Sequence, residues 1–195
     1  MVQVFGTSHV SQESIEMIDR VFEEEEFNTV ALELDPIRLN AMLNGDDSEG
    51  GTLFLKFMKF FQNFIGKRTG VMPGQEMLYA YNRAVNEGKD VLLIDQDIRI
   101  TMSRFNQIRR KEKAKAVASM TLGMVLPGGL DVSKIPDEEQ IDEMVDQMRK
   151  SFPGLYRVLF EERNAHMINA LEQVEEDTVA FVGAAHRKPV QEGLE

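Results

Sequence analysis

Thr29-Val30-Ala31-Leu32-Glu33-Leu34-Asp35 decides how this chain is read. After Thr29 the run carries no polar side chain until Glu33, so it reads as a strand buried on both faces, the kind found in parallel sheets. Three further runs share that character: Val2 to Phe5, Asp90 to Ile94 and Thr178 to Val182. Each is rich in β-branched or aromatic residues and ends in a glycine or a carboxylate before a helical stretch. Between the first two, Ser11 to Glu26 opens with Ser11-Gln12-Glu13-Ser14 and places Ile15, Ile18, Val21 and Phe22 on one stripe. That pattern fits a βαβ unit.

Working outward, Gln75 to Glu87, Asp97 to Met124, Pro136 to Lys150 and Gly154 to Val174 carry helix formers with few β-branched clusters. Asp46-Asp47-Ser48-Glu49-Gly50-Gly51 reads as an acidic loop, and Leu126-Pro127-Gly128-Gly129 as the turn that ends the long helix begun at Asp97. The expected fold class is α/β: a short, mostly parallel central sheet with covering helices, and a large helical insertion over about residues 97–174 before the last strand. One domain spanning 1–195 is expected.

Composition narrows the chemistry. No cysteine is present, which excludes a disulfide framework, a thiol nucleophile and Cys-ligated zinc. The formal charge of −11 argues against a phosphate-tracking surface, so nucleic acid is not an expected partner. Val2-Gln3-Val4-Phe5 already reads as a strand rather than a secretion signal, which sets a cytoplasmic expectation. The longest apolar stretch, Thr52 to Ile65, is interrupted by Lys56, Lys59, Gln62 and Asn63, short of a membrane span. Phe54, Phe57, Phe60, Phe61 and Phe64 cover more than one helical face there. That helix covers the ligand crevice, makes a homodimer contact, or is buried in the chain's own helical layer.

The polar residues fall at the strand ends, where open parallel sheets bind ligands. Gly6-Thr7-Ser8-His9 follows the first strand and Gly183-Ala184-Ala185-His186 the last, so two of the three histidines sit in matching Gly-x-x-His turns. A shared site is the sharper reading; a histidine near a helix start (His9) and a surface histidine (His186) are the plain ones. Glu33 lies within an apolar run, where an unpaired charge is costly, so it requires a cation or a proton. Arg38, one helical turn on, is its simplest partner. Asp95 and Asp97 make a weaker case, with Asp97 placed to cap a helix. His166 pairs on a helix surface with Glu162, and Arg163 either binds or orients a carboxylate or makes a buried structural ion pair.

Gly6-Thr7-Ser8-His9-Val10-Ser11, Leu32-Glu33-Leu34-Asp35 with Arg38, Pro73-Gly74-Gln75-Glu76-Met77, Leu93-Ile94-Asp95-Gln96-Asp97-Ile98 with Arg104, Glu162-Arg163 with Met167, and Val182-Gly183-Ala184-Ala185-His186 resemble, in order and spacing, the TraB/PrgY pheromone-shutdown family. That family is similar to the TIKI metalloproteases and, more distantly, to the erythromycin-esterase and ChaN-like proteins. The resemblance implies His9, His186, Glu33 and Glu76 as metal ligands and Glu33, Glu76 and Arg163 as acid/base and supporting residues. It alone brings in Glu76. Gln96, Asn164 and His166 depart from the residues usual at those positions, which are Arg, Asp and an aromatic.

Two imidazoles and one or two carboxylates suit a divalent ion, here manganese, cobalt or zinc. The expected function is a metal-dependent hydrolase acting on a peptide or extended protein segment. In a metal-free version one histidine, held by Glu33, is the general base. The alternative is a non-catalytic regulator of pheromone-shutdown type that binds and sequesters a peptide. Haem binding is a third reading, carried by the ChaN-like analogy alone. Family members that continue into membrane-spanning helices imply membrane association through a region outside this chain.

Overall fold

In a computed structural model, residues 1–7, 12–44, 74–125 and 138–195 are described, with backbone only at 12, 120–125 and 138. His9, the Asp46 to Gly51 loop, the Phe-rich stretch and the Leu126 to Gly129 turn lie outside the described residues.

The four expected strands are β1 (Val2–Thr7), β2 (Thr29–Leu32), β3 (Asp90–Leu93) and β4 (Thr178–Gly183). They form one parallel sheet in the order β1-β4-β2-β3. The last strand therefore enters between the first two, and the βαβ unit of β1 and β2 skips a position. β2 and β4 are buried along their whole length, as their near-continuous apolar sequences require.

Helices α1 (Gln12–Glu24) and α3 (Gln75–Asn86) cover one face. Ile18, Val21 and Phe22 of α1 join Met77, Ala80 and Ala84 of α3 over Val30, Leu32, Val179 and Phe181. Phe22 stacks on Phe181 with ring centroids 6.2 Å apart. The other face is covered by α8 (Glu162–Leu171) and α9 (Ala184–Gly193), where Met167, Leu171 and Val190 pack on Val4, Ala31, Ala180 and Val182. The opposite faces follow from topology. β1 to β2 and β2 to β3 step one way along the sheet while β3 to β4 steps back, and crossovers of one hand then place their helices on opposite sides.

The remaining helices are α2 (Pro36–Asn44), α4 (Ile98–Gln107), α5 (Arg110–Val125), α6 (Glu138–Ser151) and α7 (Pro153–Tyr156). A π-helical segment, Arg157–Glu161, joins α7 to α8. The single helix expected from Asp97 to Met124 is two. Ile108 leaves helical geometry at φ −60°, ψ 138°. Its side chain packs with Ala116, Leu155, Val158 and Leu159 in a small separate core, which offsets the broken helical hydrogen bonds. No helix among the described residues is long and apolar enough to cross a membrane.

Candidate functional site

The carboxyl edge of the sheet is built by the residues that follow each strand. Glu33 comes directly after β2 and stays in register with β4, its N–H donating to the Phe181 carbonyl at 3.0 Å. Its side chain is only 6% exposed. Oε2 accepts the Gly183 N–H at 2.6 Å, and Oε1 accepts from Arg163 Nη2. The partner is thus Arg163 of α8, 130 residues away, rather than Arg38 alone. Arg38 reaches Glu33 through its backbone carbonyl, from Nη2 at 3.4 Å.

Arg163 is the hub. Nε donates to Asp95 Oδ1 at 2.9 Å and Nη2 to Asp95 Oδ2 at 2.7 Å, a two-pronged pairing suited to the planar guanidinium. Nη1 donates to the Leu159 carbonyl at 3.2 Å and lies 3.1 Å from His186 Nε2. That carbonyl belongs to the π segment, an irregularity frequent at functional sites.

Arg38 binds the far side of Asp95, through Nη2, and Asp35 Oδ2 through Nε at 2.5 Å. Asp35 Oδ1 accepts the Ile37 and Arg38 N–H groups at 2.9 and 3.2 Å, capping α2 ahead of its first residue, Pro36. Two buried guanidinium groups thus face the three carboxylates of Glu33, Asp35 and Asp95. Burial alone would raise the Asp95 pKa, but Arg163 and Arg38 reverse this and hold it well below the usual carboxylate range. Burial likewise opposes the charge of Arg163, and Asp95 and Glu33 more than restore it, leaving its pKa above the ordinary arginine value.

His186 stands in the first turn of α9, 4% exposed. Its Nδ1 lies 2.5 Å from Asn164 Oδ1, and its Nε2 lies 3.5 Å from Glu33 Oε1. Asn164 Oδ1 only accepts, so in the neutral ring the proton sits on Nδ1 and the Nε2 lone pair faces Arg163 and Glu33. Phe160 of the π segment lies against the ring at 5.2 Å.

Glu76 is buried in the first turn of α3, where Oε2 accepts the Gly74 N–H at 3.2 Å. α3 closes at Gly88, whose φ of 70° suits a glycine after a helix, and β3 starts at Asp90. The 12 residues of α3 therefore run antiparallel to β3 and return Glu76 to the carboxyl edge, on the face opposite α8 and α9. Thr7, the end of β1, pairs with Gly183. The chain departs from β1 toward α1 on one face and from β4 toward α9 on the other, the kind of switch point where crevices form.

The donor chemistry of this edge fits a divalent ion in part. Two ligands on one tetrahedral ion with bonds of about 2.0–2.1 Å lie about 3.4 Å apart, and Glu33 Oε1 and His186 Nε2 are 3.5 Å apart. Both donors are also hydrogen-bonded to Arg163, so a cation there competes with the guanidinium. Among the described residues no group of three or more His, Asp or Glu side chains has ligand spacing.

Other residues resolve simply. Asp97 caps α4, accepting the Arg99 N–H at 2.8 Å. His166 is exposed, and Glu162 pairs with Arg157 at 3.3 Å and Arg104 at 3.9 Å rather than with it. Gln96 Oε1 accepts the Thr101 hydroxyl at 2.9 Å. Arg38, Asp35 and Asn164 also belong to the cluster, Arg38 through Asp95 and Asp35 and Asn164 through His186. Asp35-Pro36 was the visible signal, a capping acid ahead of a helix-starting proline.

The description TraB/PrgY/gumN family matches residues 2–192. Among curated proteins, an uncharacterized protein of Methanocaldococcus jannaschii is 29% identical over 204 residues, covering 95% of this chain and 51% of that protein. The chain spans about half the length of this relative.

Proposed function

We propose that this chain, which belongs to the TraB/PrgY/gumN family, is a metal-dependent hydrolase that cleaves a peptide or extended protein segment at the carboxyl edge of its sheet. The observation that carries the reading is the pairing of His186 Nε2 with Glu33 Oε1 at 3.5 Å, both nearly inaccessible to solvent. The edge they share is the one from which β1 leads toward His9 and to which α3 returns Glu76. His9, His186, Glu33 and Glu76 would hold the ion, and manganese, cobalt or zinc would supply Lewis-acid polarisation and an acidified water.

The protein's own groups do the rest. Asn164 holds the imidazole so that Nε2 keeps its lone pair. The Gly183 N–H and Arg163 hold the Glu33 carboxyl group in place. Asp95 and Arg38 fix Arg163 from behind, so the guanidinium is a positioned charge beside the reacting groups.

The test is calorimetric titration of each metal into wild type, His186→Ala and Glu33→Gln, with hydrolysis of a quenched-fluorescent peptide library measured before and after chelation. Metal-restored turnover that disappears in both variants is the expected result. Equal metal binding in wild type and His186→Ala overturns the site. Turnover unaffected by chelation but lost in His186→Ala replaces the metal with His186 as general base. One observation favours sequestration instead: Arg163 and both Asp95 oxygens are already satisfied within the protein. Saturable peptide binding without cleavage is the outcome that selects it.

A further inference from the structure

Positive charge is concentrated in one place against the net charge of the chain. Arg109-Arg110-Lys111-Glu112-Lys113-Ala114-Lys115 holds five cations and one acid in seven residues, and α5 begins within it. Cations in the first turn of a helix oppose its macrodipole, so folding alone does not account for them. The one acid is turned inward. Glu112 Oε1 accepts the N–H groups of Gly154 and Leu155 at 2.7 and 3.1 Å, capping α7. Gly154 permits this approach, since a Cβ there would lie 2.8 Å from Glu112 Oε2.

The start of α5 borders a cleft of about 590 Å³ shared with the end of α6, α7 and the π segment. Its charged lining is Arg109, Arg149 and Arg157 with Glu112 and Glu161. Arg157 pairs with Glu162. Arg109 and Arg149 have no carboxylate partner among the described residues. The Arg149 guanidinium instead lies over the Tyr156 ring at 5.5 Å, which stiffens a planar fork without using its donors.

We infer that this cleft binds an acidic peptide segment, with Arg109 and Arg149 forking the carboxylates of its Asp or Glu side chains. The inference rests on the reading of the sheet edge as a peptide site and names the class of peptide. A dense polyanion is disfavoured, because Glu112 and Glu161 sit in the same lining and the whole protein carries −11. Sparse carboxylates with apolar spacers match Arg109 and Arg149 beside Tyr156 and Ile108 better. The cleft and the sheet edge share one wall. Arg157 and Glu161 face the cleft, while Phe160 of the same segment lies on His186 and the Leu159 carbonyl holds Arg163. A segment gripped in the cleft is therefore delivered beside the reacting groups, contributing to affinity rather than to the chemical step.

The experiment is fluorescence anisotropy of a labelled octapeptide alternating Glu with Gly and Leu, against its Gln counterpart, on wild type and His186→Ala. Binding of the Glu peptide to both proteins, weakened by salt and about tenfold weaker in Arg109→Ala/Arg149→Ala, is the expected result, two exposed charge contacts being worth about that much together. The variant Arg109→Glu/Arg149→Glu guards against misfolding by a gain: it should bind a Lys octapeptide that wild type does not. Equal affinity for the Glu and Gln peptides, or unchanged affinity in the double-alanine variant, overturns the inference. So does displacement of the peptide by inorganic phosphate or phosphatidylserine vesicles at concentrations where chloride does not displace it. If the Glu peptide binds through these arginines and no peptide is ever cleaved, the cleft stands and the hydrolase reading alone fails.

Discussion

At the sheet edge Arg163 and Arg38 are buried and bound to carboxylates, whereas in the helical cleft Arg109 and Arg149 are exposed and carry no carboxylate partner among the described residues. The same side chain serves opposite ends. A buried guanidinium is tolerable only when its counter-charges are already in place, so its free energy is committed to the fold and to holding Glu33 and Asp95 still. An exposed one costs little to leave unpaired and keeps its donors for a ligand. Substitutions of matched type should therefore separate stability from binding.

The largest effect is expected at Arg163. Replacement by alanine leaves Glu33 and Asp95 with one buried counter-charge fewer, and breaking a buried pair in this way costs roughly 3–5 kcal/mol. Urea denaturation followed by circular dichroism measures it. A loss below about 1 kcal/mol would mean that water reaches the cluster and that the contrast between the two regions is one of degree.

Next is Asp95, whose oxygens receive Arg163 at both, Arg38 at one and the Gln96 N–H at the other. Its folded pKa is depressed, so its contribution to stability is complete above the unfolded value of about 3.9 and is lost as pH falls below that toward the folded pKa. Asp95→Asn should lose roughly 1.5–3 kcal/mol at neutral pH, the range for hydrogen bonds to charged groups. It should also flatten the fall in stability between about pH 4 and 2. Parallel melting curves for wild type and variant across that window would remove Asp95 from the acid response.

How much of this was legible differs between the same two regions. All four strands were readable because β2 and β4 carry no polar side chain after their first threonine and each run ends at a glycine or a carboxylate. Glu33 was readable as a charge needing a partner. The partner was not, because Arg163 reaches it only once β4 enters between β1 and β2 and draws α8 onto the sheet. Arg38 is nearer in sequence, yet the cap at Asp35 turns it toward Asp95. The cleft was invisible for a similar reason. Ile108 offers neither glycine nor proline to mark the break between α4 and α5, and only the core it joins with Leu155 and Val158 makes the helix end there.

The smallest expected effect sharpens the comparison most. Arg149 lies exposed in the last turn of α6, where a cation is favoured by the helix dipole, and its guanidinium lies over the face of Tyr156 at 5.5 Å. Removing it forfeits a few tenths of a kcal/mol from each, so Arg149→Ala should change stability by less than about 1 kcal/mol. No buried acid is left unpaired by the loss. The same urea titration used for Arg163→Ala therefore places the two arginines several kcal/mol apart. A destabilisation at Arg149 as large as that at Arg163 would show its guanidinium to be a structural tie rather than a free ligand-binding group, and would remove the distinction on which the two regions were separated.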